Sequence, residues 1–282
     1  MAAKARAHDD QTRLAVLIDA DNAQPSVIEG LLAEVAKYGV ASVKRIYGDW
    51  TSTSHTQWKQ SLLKHSISPV QQFAYTKGKN ATDCTLIIDA MDLMYTRRFD
   101  GFCLVSSDSD FTRLAQRLRE EGLTVYGFGE KKTPDPFVQA CDKFIYTEVL
   151  RANSVPAKPS IKPAAKSAKG KPDAVVKPDV EAKPGPANAK ALDAAPPATD
   201  ASGFPIDLVR LAIEDASDDA GWAHLSSIGS YLTKVRPDFD PRLYGHRKLS
   251  DLLRKYPKAF ELEERGAPGA ASRPIYVRAV RK

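Results

Sequence analysis

Apolar residues follow two alternating rhythms through the first half of the chain. Residues 14–18 (LAVLI) form an apolar run of strand length that ends in Asp19, Asp21 and Asn22, with Pro25 where a helix would begin. Residues 25–38 carry Val27, Ile28, Leu31, Leu32 and Val35 at helical spacing, and Gly39 closes the stripe. Residues 40–47 read as a second strand, 54–67 as an amphipathic helix and 69–75 as a third strand. A long helix follows over 83–96, with Leu86, Ile87, Ala90, Leu93 and Met94 facing inward. Residues 101–106 (GFCLVS) have almost no polar member, as expected of a strand buried on both faces. A helix over 111–122, a fifth strand over 123–128 and a short edge strand over 144–146 complete the series. This alternation predicts an α/β fold, a mostly parallel sheet with helices on both faces, spanning residues 12–150.

The rhythm stops near Ser154. Residues 151–202 are dominated by Ala, Lys and Pro, too poor in large apolar groups to offset their conformational entropy, and are expected to be a disordered linker. Order resumes over 203–282 with helices at 206–213, 225–235 and 248–256, then strands at 260–263 and 274–280 around a Gly/Pro-rich turn. Three helices followed by a hairpin is the order of a small winged helix. Lys234, Arg236, Arg242, His246, Arg247, Lys248 and Arg273 would give it a basic face for phosphate contacts.

The 282 residues suffice for two domains, and a net charge of +6 permits a polyanionic partner without identifying one. Cys84, Cys103 and Cys141 are scattered, with no metal-ligand spacing, which argues against zinc and against a disulfide framework and suits a reducing compartment. The first dozen residues lack an apolar core and no later run approaches membrane-spanning length, so a soluble cytoplasmic protein with no membrane partner is expected.

Asp19 and Asp108 end the most apolar strand in each half of the sheet, and ligands of open α/β sheets bind beyond such carboxyl ends. If the two strands are neighbours, both carboxylates enter one crevice. Asp83, opening its helix after the basic loop 76–82, and Asp110, two residues beyond Asp108, point to the same edge. Two unit charges about 4 Å apart at an effective dielectric of about 20 repel by on the order of 4 kcal/mol, a cost that a cation removes. Oxygen ligands without His or Cys favour Mg²⁺ or Mn²⁺, which suits phosphodiester hydrolysis. Asp21, Asn22, Asp49 and Ser106 stand nearby as supporting groups; Lys77 and Lys79, with Arg45 as a weaker candidate, could hold flanking phosphates. Asp89 and Asp92 lie farther along their helix and read as surface or supporting groups. Helix capping explains any one of these acids, but not their gathering at one edge.

The set LIDADN (17–22), YGDW (47–50), KGKNATD (77–83) with IDAMD (88–92), and SSDSDF (106–111) resembles the NYN domain, a family of PIN-like nucleases. The resemblance implies a PIN-like α/β/α sandwich and Mg²⁺- or Mn²⁺-dependent RNA cleavage, with Asp19, Asp83 and Asp108 catalytic, Asp110 among the ligands and Asn22 beside them. Many relatives have Ser-Gly-Asp where this chain has Ser106-Ser107-Asp108. GWAHLSSIGSYL (221–232) and PDFDPRLYGHRKLSDLLRKYP (237–257) are similar to the OST-HTH or LOTUS domain, which implies binding of RNA or of a protein partner such as a helicase. A metal-dependent ribonuclease is therefore expected, with RNA recruited by Arg242, His246, Arg247 and Lys248 on a flexibly tethered winged helix. A non-catalytic RNA-binding adaptor is the alternative. A phosphatase of the haloacid-dehalogenase type, which usually has Thr or Val where this chain has Ala23, and a glycosyltransferase using a metal-binding DxD fit less well.

Overall fold

The computed structural model describes residues 11–51, 55–73, 81–152, 203–265 and 273–280. Six strands, β1 (Arg13–Asp19), β2 (Val40–Gly48), β3 (Ser68–Gln71), β4 (Gly101–Val105), β5 (Thr124–Gly129) and β6 (Lys143–Tyr146), pair in the order β3-β2-β1-β4-β5-β6. Every pairing is parallel. Helices α1 (Ile28–Val35), α2 (Trp58–His65), α3 (Ala81–Tyr95), α4 (Thr112–Glu120), α5 (Asp135–Ala140) and α6 (Thr147–Ala152) make the crossovers and the carboxyl end of the domain.

The strand β1 is central, and its side chains alternate between two cores. Ala15 and Leu17 join Leu86, Phe102, Leu104, Phe111 and Phe144 on one face. Leu14, Val16 and Ile18 join Ile28, Leu31, Val35, Trp58 and Phe128 on the other. The neighbours β1 and β4 run in register, Ile18 opposite Val105, so the residues that follow each leave the sheet side by side. Between these two strands the order of connections reverses, which opens a crevice at their carboxyl ends.

Close backbone approaches pin this sheet. A Cβ on Gly127 would lie 2.4 Å from the Phe144 ring and 2.7 Å from the Cys141 sulfur, both fixed in the core. Gly127→Ala is expected to lower the unfolding free energy by about 1–3 kcal/mol through overpacking, read as a lower urea midpoint.

The second domain has α7 (Ile206–Ala216), β7 (Ala223–His224), α8 (Leu225–Val235), α9 (Leu249–Arg254), β8 (Phe260–Glu264) and β9 (Ile275–Ala279), with an antiparallel sheet ordered β7-β9-β8. Phe204, Val209, Ile213, Ile228, Leu232, Leu252, Phe260 and Val277 form its core. The two-residue β7 and the 3-10 turn Pro241–Tyr244 were not expected, being too short for a periodic signal. The expected linker lies outside the described residues from 153 to 202.

The winged helix rests against the edge strand β6. The Phe144 amide donates to the Pro237 carbonyl at 2.9 Å, and the Tyr146 hydroxyl to Asp238 at 3.3 Å. The Arg242 guanidinium reaches Glu34 of α1 with two hydrogen bonds, 2.9 and 3.0 Å. No helix among the described residues is long and apolar enough to cross a membrane.

Candidate active site

Asp19 is the last residue of β1 and is almost fully buried. Its carboxylate accepts from the Asn22 side chain at 2.7 Å, the Ser106 hydroxyl at 2.8 Å and the Asp21 amide at 3.0 Å. Burial pushes its pKa up, and those three hydrogen bonds oppose the rise. The Ser106 hydroxyl also accepts from the Asp108 amide at 3.1 Å. A chain of hydrogen bonds thus joins the two strand ends, Asp108 N–H to Ser106 O–H to Asp19 carboxylate.

Asp83 in the first turn of α3, Asp108 after β4 and Asp110 in the turn that follows each offer a carboxylate oxygen, and these lie within 4.8 Å of one another. Burial first, then the charges of Asp19, Asp108, Asp110 and Asp21, raise the Asp83 pKa to about 6. Asp108 accepts from the Asp110 amide at 2.9 Å, so it caps its turn as well as joining the group. Capping requires an acceptor but no charge, so it does not account for three carboxylates held in mutual repulsion. Hard oxygen donors at this spacing could hold a metal ion. Asp19 is not one of the three, but among the charges acting on Asp83 it is the foremost.

The other expected residues divide. Asn22 and Ser106 hold Asp19, as above. Asp21 is mostly exposed and meets His55 Nε2 at 3.2 Å. His55, which no motif marked, is nearly buried, with Nδ1 placed 3.1 Å from the Asp49 carbonyl. Asp49 braces the loop after β2, accepting from the Thr51 hydroxyl at 2.6 Å and the Gln71 side-chain Nε2 at 2.9 Å. Arg45 pairs with Asp89, whose other oxygen accepts from the buried Tyr47 hydroxyl. Arg45 is thus engaged two residues below the acid edge, and Asp89 is a partner of the sheet rather than a surface group. Lys77 and Lys79 lie outside the described residues.

On the winged helix Arg247 and Lys248 are exposed and His246 is half-buried. Arg242, expected to contact phosphate, is instead occupied by Glu34 and Asp240. Ser107 needs no positive φ, and its hydroxyl accepts from the Glu130 amide at 2.9 Å. Serine in place of glycine therefore ties this loop to the end of β5 without backbone strain.

The NYN domain model matches residues 13–150, the whole six-stranded unit, and the OST-HTH/LOTUS domain model matches residues 200–269. The chain carries an NYN domain followed by an OST-HTH/LOTUS domain. Its NYN domain belongs to a PIN-like nuclease family, and the three-acid group lies at the carboxyl edge of that domain's sheet. No curated protein matches the NYN-domain chain at a significant level.

Among solved structures, an uncharacterised protein of Nitrosomonas europaea is 44% identical, over 34% of this chain and 90% of its own, with a TM-score of 0.26. A protein of unknown function from Vibrio parahaemolyticus is 19% identical, over 48% of this chain and 93% of its own, with a TM-score of 0.41. A Chromobacterium violaceum protein fragment is 36% identical, over 26% of this chain and 77% of its own, with a TM-score of 0.22.

Proposed function

We propose that the chain is a Mg²⁺- or Mn²⁺-dependent ribonuclease. The observation that carries this reading is the approach of the Asp83, Asp108 and Asp110 carboxylates to within 4.8 Å beside buried Asp19. Asp83, Asp108 and Asp110 would hold the ion. When bound, it supplies charge stabilisation at a phosphoryl oxygen and a more acidic attacking water. Asp19 fixes the crevice through Ser106 and Asn22 and places its carboxyl beside the ligand group. RNA would be recruited by the exposed cations Arg247 and Lys248 of the OST-HTH domain, supported by Lys234 and Arg273.

The proton on Asp83 makes the reading sensitive to pH. Ion binding needs this carboxylate free, so with a metal-free pKa of about 6 the Mn²⁺ affinity is expected to fall below pH 6. One displaced proton predicts a loss of about tenfold between pH 7 and pH 5, measurable by isothermal titration calorimetry. The folded-state pKa is raised, so ionising Asp83 costs the metal-free protein stability as pH climbs from 3.8 to about 6. Added Mn²⁺ should restore that loss.

The reading is tested by incubating the purified chain with labelled single-stranded and hairpin RNA in Mn²⁺ or in EDTA. Cleavage in Mn²⁺ alone is expected. Intact RNA in every metal condition, with binding retained, would favour an RNA-binding adaptor.

A further inference from the structure

Glu34 breaks the local rules of its helix. It sits in the last turn of α1, where the helix dipole disfavours an acid, and it is 4% exposed. Lys37 at 2.7 Å and the Tyr38 hydroxyl at 3.1 Å hold its two oxygens from within the NYN domain. The remaining capacity of both oxygens is filled by Arg242, 208 residues away on the winged helix. Asp240 turns that guanidinium toward Glu34: it caps the turn through the Arg242 amide at 2.8 Å and accepts from Arg242 Nη2 at 2.6 Å.

A second contact covers the sheet edge. The amide of Phe144 faces away from β5 and finds the Pro237 carbonyl, while Tyr146 reaches Asp238, itself held by Arg236 at 3.0 Å. Exposed edge strands with unpaired amides invite foreign pairing, and here the second domain fills that position.

We propose that Glu34 and Arg242 form a clasp that fixes the winged helix on the β6 edge, and that this fixed placement sets where along an RNA the acid crevice cuts. The positional part rests on the ribonuclease reading; the clasp does not. Arg242 is then a docking residue, and RNA contact falls to Arg247 and Lys248. The β6 edge lies two strands from β4, which carries Asp108 just past its end, so strand spacing alone puts the edge on which the domain docks roughly 10 Å to one side of β4. An RNA element held by the docked domain meets the crevice at a constant offset. A freely tethered domain would present it at many. The 50 residues from 153 to 202 span at most roughly 165 Å by covalent geometry, enough to permit docking within one chain.

The experiment uses the full chain, Glu34→Ala, Arg242→Ala and the double variant. Hydrogen exchange of the Phe144 amide reads docking directly, sedimentation reads the mass, and an end-labelled hairpin RNA with a single-stranded tail reads the positions of cleavage in Mn²⁺. The wild type is expected to be a monomer with Phe144 protected on the order of 100-fold more than in either single variant. The double variant should be no worse than the singles, since both remove one interaction. Cleavage by Glu34→Ala should spread over several positions while its total single-turnover rate stays within about twofold, Glu34 lying away from the acids.

Fast exchange of Phe144 in the wild type would overturn the clasp, and so would protection that survives Glu34→Ala. A dimeric mass with Phe144 protected would overturn docking within one chain. An unchanged cleavage pattern in Glu34→Ala would overturn the positional role. Protection of Phe144 without cleavage of any RNA would overturn the ribonuclease reading and the positional role with it, and would support the clasp by itself.

Discussion

Asp108→Asn is expected to lower the single-turnover rate of RNA cleavage in saturating Mn²⁺ by about 10³-fold. The substitution is a clean one, because asparagine caps a turn as well as aspartate does and the Asp110 amide keeps its acceptor. What is lost is one anionic ligand from a group whose oxygens lie within 4.8 Å. The several kcal/mol of charge stabilisation that a correctly held ion provides correspond to about three decades in rate. Asp83→Asn should match it, since Asp83 is a half-buried member of the group, raised by burial and then by its neighbours' charges. Asp110→Asn, at the exposed side of the group, is expected to cost only about tenfold. An Asp108→Asn enzyme within threefold of wild type would reduce the acid to a turn cap.

The second large effect concerns stability. Arg242→Ala removes one partner of a buried ion pair and leaves Glu34 with only Lys37 and Tyr38, a loss of about 3 kcal/mol in the contact between the domains. Arg247→Ala, at an exposed position, should fall within about 0.5 kcal/mol of wild type. Urea unfolding of the full chain followed by two domain-specific probes separates the two. Acid gives an independent handle. Opposed by burial, the guanidinium and Lys37 hold the Glu34 pKa down at about 2, below its ordinary 4.5. The stability this pair contributes is therefore fully present above pH 4.5 and is lost as pH falls through about 2. Docking should be level from pH 5 to pH 8, while Mn²⁺ affinity changes over the same range because of Asp83.

Much of the NYN domain is legible in its apolar pattern because its strands are buried on both faces. The run 14–18 is wholly inaccessible, and β4 shows almost no polar residue for the same reason. Asp19 and Asp108 could be paired from sequence only on condition that their strands are neighbours, and the β1–β4 register meets it. The six-residue helices α5 and α6 escaped notice because so few residues carry too little periodicity.

Charge partners were the least readable feature. Arg45 and Arg242 look alike in sequence, as cations near acidic motifs, yet Asp89 takes one and Glu34 the other across 44 and 208 residues. Nothing local signals such partners, because a surface lysine and a buried arginine obey the same composition. The one hint was Glu34 itself, an acid at the carboxyl end of a helix. His55 gave no hint, because it stands at the start of the amphipathic stretch 54–67 with no catalytic or metal-ligand motif around it.

Capture of a divalent ion by the Asp83, Asp108 and Asp110 carboxylates decides the proposed reaction. Mn²⁺ titrated into metal-free chain at pH 7.5 and followed by water-proton relaxation should show saturable binding, abolished in an Asp83→Asn, Asp108→Asn double variant that keeps its fold. Equal Mn²⁺ uptake by the wild type and that variant would contradict it.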